Sequence, residues 1–278
     1  MDLDIDHLRG WIGRTDSATE ILAPALVRQF NATFDRSSGE APGDLAPLLI
    51  HFCLAQPAVP TCSLGPDGHA ARGGFLPPVP LPRRMWAGGE FTFHGDIRVG
   101  DEVTRLSRVQ DVVLKQGRTG PLCFVTVLHE VSANGTPVLT ERQDIVYREA
   151  MGRIAAKSEP EPAPEGIHSR QITATAPYLF RYSAMTFNGH RIHYDKDYVR
   201  DVENYPGLIV HGPLQATLLC QFAADLWGKN PTQFRFRSPA TIFDTADFTI
   251  NALPEGETMK LWTAQLGGPA AMEATASW

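Results

Sequence analysis

The chain has 278 residues, 43% hydrophobic and 20% charged, with a formal net charge of −6. This composition fits soluble globular protein and is far from that of disordered or membrane chains; the length suits one large or two ordinary domains of roughly 100–200 residues. No Lys/Arg run exists to neutralise a phosphate backbone, so nucleic acid is not an expected partner. No apolar stretch reaches the roughly 20 residues needed to cross a bilayer, and the acidic lead Met1-Asp2-Leu3-Asp4 is unlike a basic leader. A cytoplasmic protein with no membrane partner is expected. Cys53, Cys62, Cys123 and Cys220 form no Cys-x-x-Cys pair, so neither a zinc cage nor a disulfide framework is signalled.

In chain order, Thr15 to Asp35 has the apolar spacing of an amphipathic helix, with Ile21, Leu22, Ala25, Leu26 and Phe30 on one side. A second helical stretch enters through Pro47 at Ala46-Pro47-Leu48-Leu49-Ile50. Strand patterns follow at Glu90–Phe93, Val112–Leu114, Leu122–Leu128, Pro137–Thr140 and Asp144–Tyr147. From Glu149 to Arg170 proline alternates with like charges, which removes amide donors and favours an extended strap. This divides the chain into a unit at 1–148, a linker at 149–170 and a second unit at 171–278.

The second half repeats the order of signals. Pro213 opens a helix in which Leu214, Leu218, Phe222 and Leu226 recur at helical spacing, and Gly228 closes it. Strand patterns follow at Phe234–Arg237, Asp247–Ile250, Met259–Ala264 and Ala271–Ala276. Turn signals align Val99-Gly100-Asp101 with Glu255-Gly256-Glu257, and Thr119-Gly120-Pro121 with Gly267-Gly268-Pro269. A helix followed by antiparallel strands, twice, is an α+β plan in which each curved sheet wraps its helix.

Chemistry concentrates between Phe180 and Pro213. Asn188, His190, Arg191, His193, Tyr194 and Asp195 crowd together, and His211-Gly212-Pro213 leads into the buried helix. Imidazole gives or takes a proton near neutral pH, and an amide can fix a water or a tautomer. Asn188 and His193 would then share one water. The helix start at Gly212 offers free amides to a carbonyl oxygen gaining charge. Together these groups suit addition of water to, or its removal from, a double bond conjugated to a carbonyl. His211 is read either as a helix-capping residue or as a substrate contact.

The segment Phe187-Asn188-Gly189-His190-Arg191-Ile192-His193, with Phe234-Arg235-Phe236-Arg237-Ser238-Pro239 after the helix, resembles the MaoC-type hotdog hydratases. It is similar to their branch with two fused hotdog units, which includes mesaconyl-C4-CoA (3-methylfumaryl-CoA) hydratases, itaconyl-CoA hydratases and hydroxyacyl-thioester dehydratases. The resemblance implies an α+β double hotdog, a non-catalytic first unit that builds the acyl pocket, and a hydro-lyase acting on an α,β-unsaturated acyl-CoA. Mesaconyl-C4-CoA, giving citramalyl-CoA, is the leading expectation; itaconyl-CoA hydration and (3R)-hydroxyacyl-thioester dehydration are the alternatives within it. No cofactor is implied beyond the coenzyme A of the substrate, and the chain is expected as a monomer or a homodimer.

The family motif Asp-x-Asn-Pro-x-His falls on Asn188, His190 and His193. His193 inherits the catalytic histidine role, while Asn188 replaces the aspartate. An amide cannot serve as a base, so His193 would take the water proton, with Asn188 or His190 orienting the water or the ring, and Gly212 would hold the oxyanion. His190, Arg191, Tyr194, His211, Arg84, Trp86, Arg235 and Arg237 are the candidate substrate-binding residues, the arginines for coenzyme A phosphates or a substrate carboxylate. Two readings of other classes stand beside this one. One is a metal enzyme using His190, His193, Asp195 and His211, although no ligand spacing signature is met; the other is a non-catalytic acyl-CoA-binding hotdog protein.

Overall fold

The computed structural model describes residues 3–117, 120–149 and 161–278. Strands β1 (Thr15–Ile21), β2 (Arg83–Phe93), β3 (Glu102–Gly117), β4 (Gly120–Ala133) and β5 (Thr136–Arg148) precede the linker region. Strands β6 (His168–Ile172), β7 (Gln233–Arg237), β8 (Phe248–Glu255), β9 (Thr258–Gln265) and β10 (Ala270–Ser277) follow it. All ten join one antiparallel sheet in the order β1-β3-β4-β5-β2-β7-β10-β9-β8-β6. Read outward from the β2–β7 seam, the two halves run in the same order, so the repeat expected from the sequence is a repeat of topology.

The seam is tight. Gly88 pairs with Arg237 and Gly89 with Phe236, and a Cβ on Gly89 would lie 2.3 Å from the Arg142 carbonyl oxygen and 2.8 Å from the Phe236 ring. Only glycine lets the strands approach so closely.

The helices are α1 (Ile5–Arg9), α2 (Pro24–Thr33), α3 (Ala176–Met185), α4 (Lys196–Asp201) and α5 (Gly212–Trp227). α5 is the buried helix that the leucine spacing predicts: Leu214 through Ala223 are all buried, and Gly228 closes it at φ 76°. Its buried polar groups are satisfied, Gln215 by Val210 and Thr263, Thr217 by Pro213, and Gln221 by the Leu48 carbonyl. α5 packs on β8, β9 and β10. A second core on the other face of the first half, around Val109, Val112 and Val125, is covered by Leu8 of α1.

Several local expectations change. The early helix is split: Thr15–Ile21 is the edge strand β1, and the helix begins only at Pro24, whose missing amide suits a first turn. Ile21 faces solvent at 61% exposure. The stretch after Pro47 forms no long helix. Leu49 and Ala55 take φ of 65° and 50°, which break a right-handed helix on either side of a single 3-10 turn, Ile50–Cys53. Of the strap, residues 150–160 lie outside the described residues, and its end, from His168, belongs to β6. The matched turns are offset by one hairpin. The β3–β4 turn corresponds to Gly256, and Asn134-Gly135 to Gly267-Gly268; Thr119 lies outside the described residues. The four cysteines are free, and three of them are buried. No helix among the described residues is long and apolar enough to cross a membrane.

Candidate active site

His193 ends a 3-10 turn (Arg191–His193) and is buried at 7% exposure. Its Nδ1–H donates to the Ile209 carbonyl oxygen at 2.7 Å. A carbonyl can only accept, so the proton is on Nδ1 and the Nε2 lone pair is left without a protein partner among the described residues. Burial lowers the ring's pKa to about 4, against the small upward pull of the Ile209 bond. His193 is therefore a neutral ring with one fixed acceptor, the form a general base needs.

His211, fully buried, stacks on His193 with centroids 3.6 Å apart and planes 17° from parallel. It occupies the N-cap position of α5, where its carbonyl accepts from the Gln215 N–H at 3.1 Å, but its side chain makes no capping bond; its Nε2 and the Ser183 hydroxyl share a 2.7 Å hydrogen bond instead. Burial, then the neighbouring His193, push its pKa far down, so a neutral ring backs the base.

Directly after it, Gly212 opens α5. Its N–H, as a first-turn donor, has no helical partner, and the positive end of a 16-residue helix lies behind it. A Cβ on Gly212 would sit 2.7 Å from Trp86 Cε3. Trp86 in turn packs on Phe236 at 4.4 Å. Glycine here lets the indole press against the helix mouth.

Asn188 is committed locally. Its Oδ1 accepts from the His190 N–H at 3.0 Å and so pins the turn that carries His193. No hydrogen bond joins Asn188 to His193 among the described residues, and one lone pair of the oxygen expected to share a water with His193 is given to the His190 N–H. His190 stays within the cluster, edge-on to His193 at 5.4 Å. Burial and the charges of His69, His193 and Arg84 drive its pKa well down.

Arg191 is not free for substrate. It pairs with Asp195 through Nε and Nη2, donates to the Pro66 carbonyl and lies over the Tyr198 ring. Tyr194 donates to the Gly189 carbonyl and stabilises the same loop. Arg235 and Arg237 alternate with buried Phe234 and Phe236, so they leave the sheet on the face opposite Trp86 and Gly212. There Arg235 pairs with Glu90 and Arg237 with Glu273, along a groove shared with Lys115, Arg142 and Trp262. These two arginines are not part of the histidine site. Arg83 is held by Glu203 and Tyr205. Arg84, by contrast, closes no salt bridge among the described residues, and its charge acts on Asp67, His69 and His190.

Two site residues were not legible from the sequence. The Gly65-Pro66-Asp67-Gly68 turn of the first half lays Asp67 and His69 beside His190, with the His69 and His190 ring centroids 4.0 Å apart. His69 Nδ1–H donates to Asp67 Oδ2 at 3.1 Å. The Pro-Asp-Gly signature marks a turn but gives no sign that the turn docks on a segment far along the chain. The expected metal set of His190, His193, Asp195 and His211 does not bring its ligand atoms together among the described residues, and Asp195 is engaged by Arg191 and the Tyr198 amide. Among the described residues the cluster of ligand-type atoms within 4.8 Å of one another is Asp67, His69 and His190.

The architecture is that of the double hotdogs. A Mycobacterium tuberculosis protein described as having a double hotdog fold superposes with a TM-score of 0.58 at 11% identity, over 96% of both chains. HtdX of the same organism gives a TM-score of 0.67 at 19% identity, covering 95% of this chain and 99% of that one. Sequence carries the placement further. The chain belongs to the family described as hydroxyacyl-thioester dehydratase type 2, which it matches over residues 49–244. A mesaconyl-C(4)-CoA hydratase of Chloroflexus aurantiacus is 40% identical to it over 269 residues, 95% of each chain.

Proposed function

We propose that this chain is a hydro-lyase that adds water reversibly across the double bond of an α,β-unsaturated acyl-CoA, with mesaconyl-C4-CoA as substrate and citramalyl-CoA as product. The observation that carries this reading is His193, held neutral with its Nδ1 proton on Ile209 and its Nε2 free, at the mouth of α5. The 40% identity to a mesaconyl-C(4)-CoA hydratase supports the choice of acyl group.

Water gives one proton to His193 Nε2 while its oxygen attacks the β-carbon. The π pair moves toward the thioester carbonyl, and the enolate oxygen receives the Gly212 N–H at the positive end of α5. The imidazolium then returns the proton to the α-carbon as the carbonyl reforms. Neutral His211, stacked behind the base, adds no charge that would oppose protonation of His193. The chemistry needs coenzyme A only as the carrier of the acyl group.

In mesaconyl-C4-CoA the β-carbon bears a free carboxylate. Arg84, which closes no salt bridge among the described residues and whose charge acts on His69 and His190, is the cation available to hold it, and it comes from the first unit. The test is a panel of mesaconyl-C4-, itaconyl-, crotonyl- and longer enoyl-CoA thioesters with wild type and Arg84→Met. Loss of a charge-assisted hydrogen bond should lower kcat/KM for mesaconyl-C4-CoA by about 10- to 100-fold and leave crotonyl-CoA hydration unchanged. Preference for plain chains, or an equal loss on both substrate types, would contradict the carboxylate reading and favour a dehydratase of unsubstituted acyl chains.

A further inference from the structure

The family's water-holding carboxylate is an amide here, and that amide's oxygen accepts from the His190 N–H. That bond takes one of the two lone pairs of the amide oxygen and fixes its direction, and a second acceptor lies close by. The first unit brings it. Its Gly65–Gly68 turn is bonded to the catalytic segment: Arg191 N–H donates to the Asp67 carbonyl at 2.9 Å and Arg191 Nη1 to the Pro66 carbonyl at 3.1 Å. Gly68, at φ 87°, and Gly189 meet backbone to backbone, and a Cβ on Gly68 would fall 1.9 Å from the Gly189 oxygen. Two glycines facing each other across the unit boundary fix this approach, and they deliver His69 to the face of His190.

We infer that the Asp67–His69 pair of the first unit supplies the second water acceptor of the hydratase site, in place of the carboxylate missing at position 188. This rests on the hydratase reading above. Asp67 accepts the His69 Nδ1 proton at 3.1 Å, which leaves the Nε2 lone pair of His69 as an acceptor. His69 and His193 both lie against His190, their ring centroids 4.0 and 5.4 Å from its own. Burial and the neighbouring Arg84 keep His69 neutral, with a pKa of about 4. The same guanidinium, whose charge acts on Asp67, His69 and His190, disfavours a further cation on that cluster.

One water then has both hydrogens held. The hydrogen on His193 Nε2 transfers as the oxygen–carbon bond forms and the π pair shifts into the enolate. The hydrogen on His69 Nε2 stays bound to oxygen and becomes that of the new hydroxyl group. His193 returns its proton to the α-carbon, and both rings end neutral. His69 touches the reacting water and is catalytic, whereas Asp67 acts only through His69 and is a positioning residue.

The test measures kcat and KM of wild type, His193→Asn, His69→Phe, Asp67→Asn and the His69→Phe/Asp67→Asn double variant on the preferred thioester of the panel. It also includes nitrogen NMR of the histidine rings and metal analysis of the purified protein. His69→Phe keeps a ring against His190 and should lower kcat by about 100-fold, with KM little changed. Asp67→Asn keeps the shape and should lower kcat by about 10-fold, shift the His69 proton away from Nδ1, and cost nothing further in the His69→Phe background. Should His69→Phe not fold, Asp67→Asn decides through its kcat and tautomer signals. Wild-type kcat in the folded variants, a loss confined to KM, or a stoichiometric metal whose chelation abolishes turnover would overturn the assignment. Turnover lost in His193→Asn but intact in His69→Phe removes this inference alone; no hydration by the wild type removes the hydratase reading with it.

Discussion

Acidification should weaken the fold through the same ring that serves as base. His193 is 7% exposed and its pKa is lowered to about 4 by burial, whereas in the unfolded chain a histidine titrates near 6.5. Across the interval between these values the unfolded chain binds a proton that the folded ring refuses. The stabilisation is therefore complete above about pH 6.5 and is lost as pH falls toward about 4. Integrated from pH 7 to pH 5, this amounts to about 2 kcal/mol for His193 alone. His193→Asn removes the titration and keeps a side-chain N–H able to donate to the Ile209 carbonyl. His190 and His211 are shifted in the same direction chiefly by burial, which the substitution leaves in place. In urea titrations at the two pH values, wild type should lose about 2 kcal/mol more than His193→Asn. Equal losses would show that His193 is not held neutral by burial.

Gly212→Ala would drive a Cβ to within 2.7 Å of Trp86 Cε3 and displace an indole stacked on Phe236. It should cost about 1–3 kcal/mol by overpacking, read as a lower melting temperature, and should lower kcat because the first turn of α5 shifts. Glu141, 1% exposed, accepts from His51 Nε2 at 3.1 Å and from Gln143 at 2.7 Å. Glu141→Ala leaves the buried His51 without its acceptor and should cost about 3–5 kcal/mol in denaturant unfolding, far more than an exposed carboxylate such as Asp197.

Part of this site was legible because its signals are local. His193 lies in a dense motif, and α5 announces itself by leucines at helical spacing followed by Gly228. The rest was harder to read. β1 and β6 are edge strands with almost every side chain exposed or half-exposed, so they show no alternation that could betray them. Leu49 and Ala55 replace a helix with one 3-10 turn through backbone angles that their side chains do not advertise. The turn match slipped by one hairpin because glycine-rich turns resemble one another. Arg235 and Arg237 carry the right chemistry, but strand alternation turns them to the far face. Asp67 and His69 meet His190 only through tertiary docking of two glycine backbones, which no local pattern encodes.

That His193 is the base of an enoyl-CoA hydratase is tested most directly by following mesaconyl-C4-CoA with wild type and His193→Asn side by side. Wild type should convert it to citramalyl-CoA, and the folded variant should be slower by about 100-fold or more. Undiminished turnover in His193→Asn, or substrate left intact by wild type, would contradict it.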